Sequence, residues 1–593
     1  MSTTTPPLST PHAASANHRV GTESGNIAET QINARIERTE WRFVALIAAL
    51  VLVLTSLPYV FAYVTTPADR HFMGIMLDVP DHGQYFSWYR EFSTANLSSN
   101  KLTPEPNQPI FFNLMWWGLA KIGVLLGVGY EFMYQVMRVI GTVGFMWVAY
   151  RMCAWFFKDS LPRKLAFLTI IFSSGFGWAL VILKYVLRTA DVPLPFTLYV
   201  SEPNTFHSIL GFPHFVVAAT YILCFDLVLR GQSKNQLRYA LFAGLWALFM
   251  GWQHAYDLVL VWGILGAYTV AVFLRDFPQR YRESQNVFAS LPWYLIKSLI
   301  VIGLISFSPA LYSVVLTQLD PVWKEVLAQF GNAGVYTPPL YQLPILLGPA
   351  FLVALFAAGH MLVKRRLNWD NKWLFALSWF VISFALIYLP VDFQIHMLNG
   401  WQVPIALLAV YGLFNIIGPA LAKRRALNSI AAPRSNNKLS QTLAVIFFVA
   451  ILPTNIYIWG WRFLDLNRHD YPFYLHKDDM TAMQWIEAQP DPNAVVLSAL
   501  ETGQFVPMLT GKPAYLAHWA QTLRFFEKQK NVAAFFDANT PDARRREILQ
   551  QKDVRYVFYG PAERQLGAYD PSAASFLTLA FETSEVKVFA VRP

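Results

Sequence analysis

Carboxylates and histidines cluster in four short segments of this sequence, each set beside long apolar runs. The first reads Asp78-Val79-Pro80-Asp81-His82-Gly83-Gln84-Tyr85. Residues 85–92 have the spacing of an amphipathic helix, which places Asp81 near a helix N-terminus. There the peptide dipole favours an ionised carboxylate, as a general base requires. An Asp at that position also serves as a simple helix cap. The second segment, 201–214, carries Glu202, His207 and His214. These donors suit a divalent cation, although their spacing also fits plain loop stabilisation through side-chain bonds to the backbone. In the third, His254 and Asp257 are three residues apart and share one helix face. The fourth, 391–400, holds Asp392 and His396, able to contact sugar hydroxyls or a phosphate.

The elements that position these groups are transmembrane helices. Of 593 residues, 55% are hydrophobic and 14% charged, with mean hydropathy +0.34. A soluble chain carries about 25% charged residues. Apolar runs of about 20 residues recur, each long enough to cross about 30 Å of hydrocarbon. The net charge of +10 traces to short basic loops rather than to a nucleic-acid motif. Cys153 and Cys224 both lie in apolar runs, without metal spacing.

Twelve apolar segments are visible, near 41–64, 111–126, 131–157, 165–187, 213–230, 239–252, 254–274, 293–316, 343–363, 373–390, 401–421 and 440–460. Counting all twelve as spans would place Lys158, Arg163 and Lys164 on the less basic side. The conflict disappears if 109–126, opened by Pro109 and interrupted by Lys121, lies in the membrane surface. Eleven spans remain. Loops 158–164, 230–238, 275–292, 364–372 and 422–438 then share one side with eighteen Lys and Arg, against six in the opposite loops. That asymmetry predicts a cytoplasmic N-terminus and a non-cytoplasmic C-terminus. Six of the seven histidines within 41–462 fall on the non-cytoplasmic side. Ionisable groups at an apolar boundary mark a site.

The expected organisation is a disordered tail (1–40), a helical membrane domain (41–462) whose first outer loop (65–130) contains surface helices, and a small α/β domain (463–593). In the last, helical spacing at 480–488, 523–536 and 544–551 alternates with strands at 494–498, 554–559 and 586–591. His518 and Trp519 either face the site or form ordinary packed surface.

With these residues in view, the sequence resembles the GT-C superfamily of membrane glycosyltransferases, especially the branch with protein O-mannosyltransferases and aminoarabinose transferases. Asp81-His82-Gly83-Gln84-Tyr85 looks like that family's Asp-Glu-x-x-Tyr element, with His82 in place of its second acid. Residues 107–112, beginning at Asn107 with Glu105 close by, look like the family's Pro-Pro-Leu-type surface helix. Arg138 looks like its Arg at the start of the second span. The resemblance implies an enzyme of the cell envelope in the inner membrane, moving a sugar from a polyprenyl-phosphate donor to a glycan, lipid or protein acceptor. It implies Asp81 as general base with Asp78, Tyr85, Glu105, Asn107 and Arg138 as substrate contacts, and His254, Asp257, Asp392 and His396, singled out above by their placement, join them as expected contacts. Glu202, His207 and His214 would be the ligands of a divalent metal cation. The competing readings are a transporter or lipid flippase, and a non-catalytic scaffold of the same shape.

Overall fold

The computed structural model describes residues 36–189, 192, 198, 200–333, 336–365, 369–427 and 436–592. The expected tail therefore lies almost wholly outside the described residues. Helix α1 (Arg38–Thr65) sets the pattern for the membrane domain. Val44, Ala48, Val51, Thr55, Tyr59 and Ala62 are buried, while Leu46, Val53, Val60 and Val64 are exposed. An apolar outward face is what lipid demands, since it offers no hydrogen bonds. Buried ion pairs stitch one end of the bundle together. Arg163 reaches Glu40 at 2.8 Å, and Asp226 meets Arg151 at 2.8 Å and Arg230 at 2.9 Å.

Among the described residues, eight helices are long and apolar enough to cross a bilayer, and a bent pair, Ser160–Phe172 with Gly177–Val186, makes a ninth. Two further expected spans are present as shorter helices, Arg238–Gly251 and Asn371–Leu386, of 14 and 16 residues. At 1.5 Å per residue these reach about 21 and 24 Å, short of the hydrocarbon thickness. Eleven spans are reached only by counting both. The bent pair breaks where Ser174 packs on a second broken helix. Gly348 sits there at φ +69°, and a Cβ on it would stand 2.2 Å from the Ser174 carbonyl oxygen.

After strand β1 (Arg70–Phe72) comes α2 (Val79–Thr94), longer than its expected 85–92 core, with Asp81 in its first turn. Helix α3 (Leu114–Leu126) lies along α2. Its 13 residues reach about 20 Å, short of the hydrocarbon thickness like the two short helices above. The Asn113 side chain caps it by accepting the Trp116 N–H, and Gly127 ends it in the left-handed region at φ +68°. Helix α4 (Tyr130–Phe156) then returns through the bundle.

The carboxy-terminal domain holds β2 (Tyr474–His476), β3 (Val495–Leu497), β4 (Val554–Tyr559), β5 (Leu577–Glu582) and β6 (Lys587–Val591). The last four form one sheet in the order β3-β4-β6-β5, with β3 and β4 parallel and the other pairs antiparallel. Side chains alternate between its faces. Val495, Leu497, Val557 and Tyr559 pack with helices Phe525–Phe536 and Asp542–Gln551, whereas Val496 and Phe558 pack with helix Lys477–Glu487. Strand β2 pairs antiparallel with β1 and so ties this domain to the loop that carries α2.

Candidate active site

Asp81 projects from the first turn of α2 with its side chain 27% exposed, and its Oδ1 lies 3.0 Å from His518 Nε2. The other ring nitrogen of His518 accepts the backbone N–H groups of Ala520 (2.9 Å) and Gln521 (3.2 Å). Nδ1 therefore carries no proton, and Nε2 must be the N–H that donates to Asp81. Enclosure by protein alone would raise the Asp81 pKa. The His518 hydrogen bond, with the nearby imidazoles of His82 and His396, outweighs it and holds the carboxyl below its ordinary value. Asp78 shows the reverse. It is open to water yet surrounded by protein, as in a recess, and that enclosure together with the Asp81 charge lifts its carboxyl well above the usual range. Two neighbouring acids pushed apart in this way give one proton acceptor and one proton holder.

Around this pair the fold closes a ring from three loops. His396 Nδ1 donates to Glu202 Oε1 at 2.7 Å, and Tyr256 stacks on the His396 ring with centroids 5.0 Å apart. The Tyr256 hydroxyl lies 3.1 Å from His254 Nδ1, which is 3.3 Å from Asp257 Oδ2. His254 packs edge-on to His214 at 5.4 Å, and His214 Nε2 meets the Tyr85 hydroxyl at 3.4 Å. Tyr85 stacks on Trp116 of α3, with centroids 5.0 Å apart and planes 16° apart. Helix α3 thus braces the helix bearing Asp81. Nearby, Trp88, Phe111 and Trp323 form a continuous aromatic stack. Buried His214 Nδ1 and both Asp257 carboxylate oxygens make no hydrogen bond within the described residues. Polar atoms left so are costly unless a ligand satisfies them.

Of the expected site residues, Asp78, Asp81, Tyr85, Glu202, His214, His254, Asp257 and His396 come together. The others do not. Arg138 donates to Thr55 Oγ1 and Ser56 Oγ, each at 2.6 Å, and fastens α4 to α1. Glu105 is taken by Lys528 at 2.7 Å and Lys552 at 2.9 Å of the carboxy-terminal domain. Asn107 folds its side chain back on the Asn100 backbone, and Asp392 is exposed. His82 turns into the core, bonded to the Asp78 carbonyl and the Tyr134 hydroxyl, and burial lowers its pKa. A cleft of about 500 Å³ beside α2, lined by Phe86, Arg90, Tyr130 and Met508 among others, does not include Asp81.

The expected metal triad is not assembled. Glu202 is engaged by His396, while His207 packs against Phe212, with burial and nearby Arg462 pulling its pKa down to about 3. Among the described residues, no three His, Cys, Asp or Glu side chains are placed to hold a cation. Sequence reasoning missed Tyr256, although it lies between two residues already singled out. It left His518 open, since nothing local joins residue 518 to residue 81.

No protein-family model and no curated protein matches this chain. Solved structures do. The apo oligosaccharyltransferase of Archaeoglobus fulgidus aligns over 89% of this chain and 70% of its own at 14% identity, with a TM-score of 0.52. ArnT of Cupriavidus metallidurans, bound to undecaprenyl phosphate, aligns over 93% of this chain and 98% of its own at 13% identity, with a TM-score of 0.52. The arabinofuranosyltransferase AftD from Mycobacteria aligns over 94% of this chain and 40% of its own at 14% identity, with a TM-score of 0.53. All three are GT-C glycosyltransferases.

Proposed function

Starting from a chain with the GT-C fold, we propose that it is a membrane glycosyltransferase that moves a sugar from a polyprenyl-phosphate donor to an acceptor hydroxyl. The observation that carries this reading is the ionised Asp81, held by His518 beside a ring of polar groups at one end of an apolar bundle. The bound undecaprenyl phosphate of the ArnT structure supports a lipid-phosphate donor. In the reaction the acceptor oxygen attacks the anomeric carbon. The bond from that carbon to the phosphate oxygen breaks, and the lipid phosphate leaves with the electron pair. Asp81 takes the acceptor's proton, a role worth about 10²–10⁴ in rate. A single displacement inverts the anomeric centre.

His214 Nδ1 and the Asp257 carboxylate would bind sugar hydroxyls, and the aromatic stack beside α2 would receive the sugar's apolar face. In the orientation we propose, the carboxy-terminal domain and this site lie on the non-cytoplasmic side, as the basic loops indicate. A transporter finds less support. Asp226, a fully buried acid of the bundle, is neutralised by Arg151, Arg230 and the Trp155 N–H. Purified protein given a polyprenyl-phosphate sugar and acceptor should release polyprenyl phosphate. Transport in proteoliposomes without sugar transfer would overturn the reading.

A further inference from the structure

The carboxy-terminal domain does more than cover the membrane domain, because one of its turns reaches the reacting carboxylate. Residues 517–522 form that turn. Thr522 Oγ1 accepts the backbone N–H groups of Ala517 and His518, both at 3.0 Å, and donates to the Leu102 carbonyl at 2.6 Å. From the membrane domain, Gln329 Nε2 donates to the carbonyls of Ala520 (2.9 Å) and Thr522 (3.0 Å), and Asn332 Nδ2 donates to that of Trp519 (3.0 Å). Asn100 Nδ2 donates to the Gln521 carbonyl at 2.9 Å. Trp519 packs edge-on to Phe330, with centroids 5.6 Å apart. His518 is 2% exposed and its ring is gripped on both sides. This is far more restraint than a histidine at a casual domain contact would have.

We infer that His518 is a positioning residue: its Nε2–H holds Asp81 Oδ1 so that Oδ2 faces the acceptor hydroxyl, and the carboxy-terminal domain thereby supplies part of the active centre. The inference rests on the transferase reading of Asp81. Its geometry is specific, because a histidine whose Nδ1 is committed to two backbone donors has one tautomer left to offer while neutral. Oδ2 of Asp81 makes no hydrogen bond to a described residue and remains open to a substrate proton. The titratable groups facing Asp81 are Asp78, His82 and Tyr85 on its own helix, His396 with Glu202 and Tyr256 from the membrane-domain loops, and His518. Of these, His518 is the one that hydrogen-bonds the Asp81 side chain among the described residues.

Two near-isosteres separate the role of the turn from the role of the donor. In His518→Asn the amide oxygen can still accept the Ala520 and Gln521 N–H groups, but no donor reaches Asp81. In His518→Gln the longer amide nitrogen can reach Asp81, while the turn loses its acceptor. Full-length enzyme is assayed with a polyprenyl-phosphate sugar across pH. H518N should melt like the wild type, lose about 30- to 100-fold in kcat, and keep KM within threefold. The acidic limb of its kcat/KM profile should move to higher pH, because Asp81 without its donor is protonated more readily. H518Q should melt lower yet recover at least fivefold of the lost kcat. H518N active within threefold with an unmoved limb, or H518Q as inactive as H518N, would overturn the inference. If the wild type shows no turnover, the transferase reading fails instead. The contact is then still read from thermal unfolding of D81A, H518A and the double variant, each of which removes one partner, and coupled residues give non-additive shifts. Additive shifts would reject it.

Discussion

Replacing Glu105 with Gln tests how the carboxy-terminal domain is fastened over the site. Glu105 lies between Lys528, 2% exposed, and Lys552, and its own side chain is 16% exposed. Burial would raise its pKa, but Lys528 and the hydrogen bonds from Lys528, Thr103 and Lys552 lower it to about 2 from the usual 4.5. That gap corresponds to about 3 kcal/mol at 1.4 kcal/mol per decade. A depressed carboxyl stabilises the fold above pH 4.5, and the contribution fades as pH falls towards 2. Lys528 points the other way. Its burial outweighs the attraction of Glu105 and lowers its pKa to about 8 from 10.5, so stability rises with pH between those values. The pair as a whole is therefore worth little against an apolar replacement, while removing Glu105 alone strands a buried ammonium. E105Q should lower hydrogen-exchange protection of the amides in 525–536 by about 100-fold at pH 7, the equivalent of about 3 kcal/mol of local opening. The double variant E105Q/K528M should regain most of that protection. Thermal unfolding of the wild type should weaken from pH 5 to pH 3, and that of E105Q should be flatter there. A change in protection under threefold, or a double variant no better than E105Q, would refute the reasoning.

Arg138→Met removes the donors to Thr55 and Ser56, and should lower the melting temperature in detergent while leaving kcat per folded molecule within about threefold, since Arg138 bonds helices and not the site. A selective loss of kcat with unchanged melting would return Arg138 to the chemistry. Glu202→Gln weakens the acceptor that orients His396 and should cost about 10- to 100-fold in kcat/KM. His396→Ala made on top of it should add less than threefold, because the pair acts as one unit. Independent, multiplicative losses would show that the two residues act separately.

The sequence revealed what depends on local period and charge. That 109–126 holds a helix shorter than the neighbouring long ones was legible because Pro109 and Lys121 interrupt its apolar run. The alternation of helix and strand after residue 463 was legible from periodicity. Asp81 at a helix N-terminus followed from the amphipathic pattern after Pro80. What stayed hidden depends on long-range contact. His518 meets Asp81 across 437 residues, and Glu105 is captured by lysines more than 400 residues away. The family-like position of Arg138 gave no sign that Thr55 and Ser56 would occupy its guanidinium. His82 was legible as a departure from the family's acid, but its turn inward to Tyr134 came only from packing.

The central claim is that Asp81 accepts the proton of the attacking hydroxyl. Asp81→Asn keeps the size of the side chain and an acceptor oxygen for His518, but cannot take a proton. Release of polyprenyl phosphate by purified full-length protein, measured under single-turnover conditions with D81N beside the wild type, should fall by 10³-fold or more with the melting temperature held. Turnover by a folded D81N within tenfold of the wild type would contradict the account.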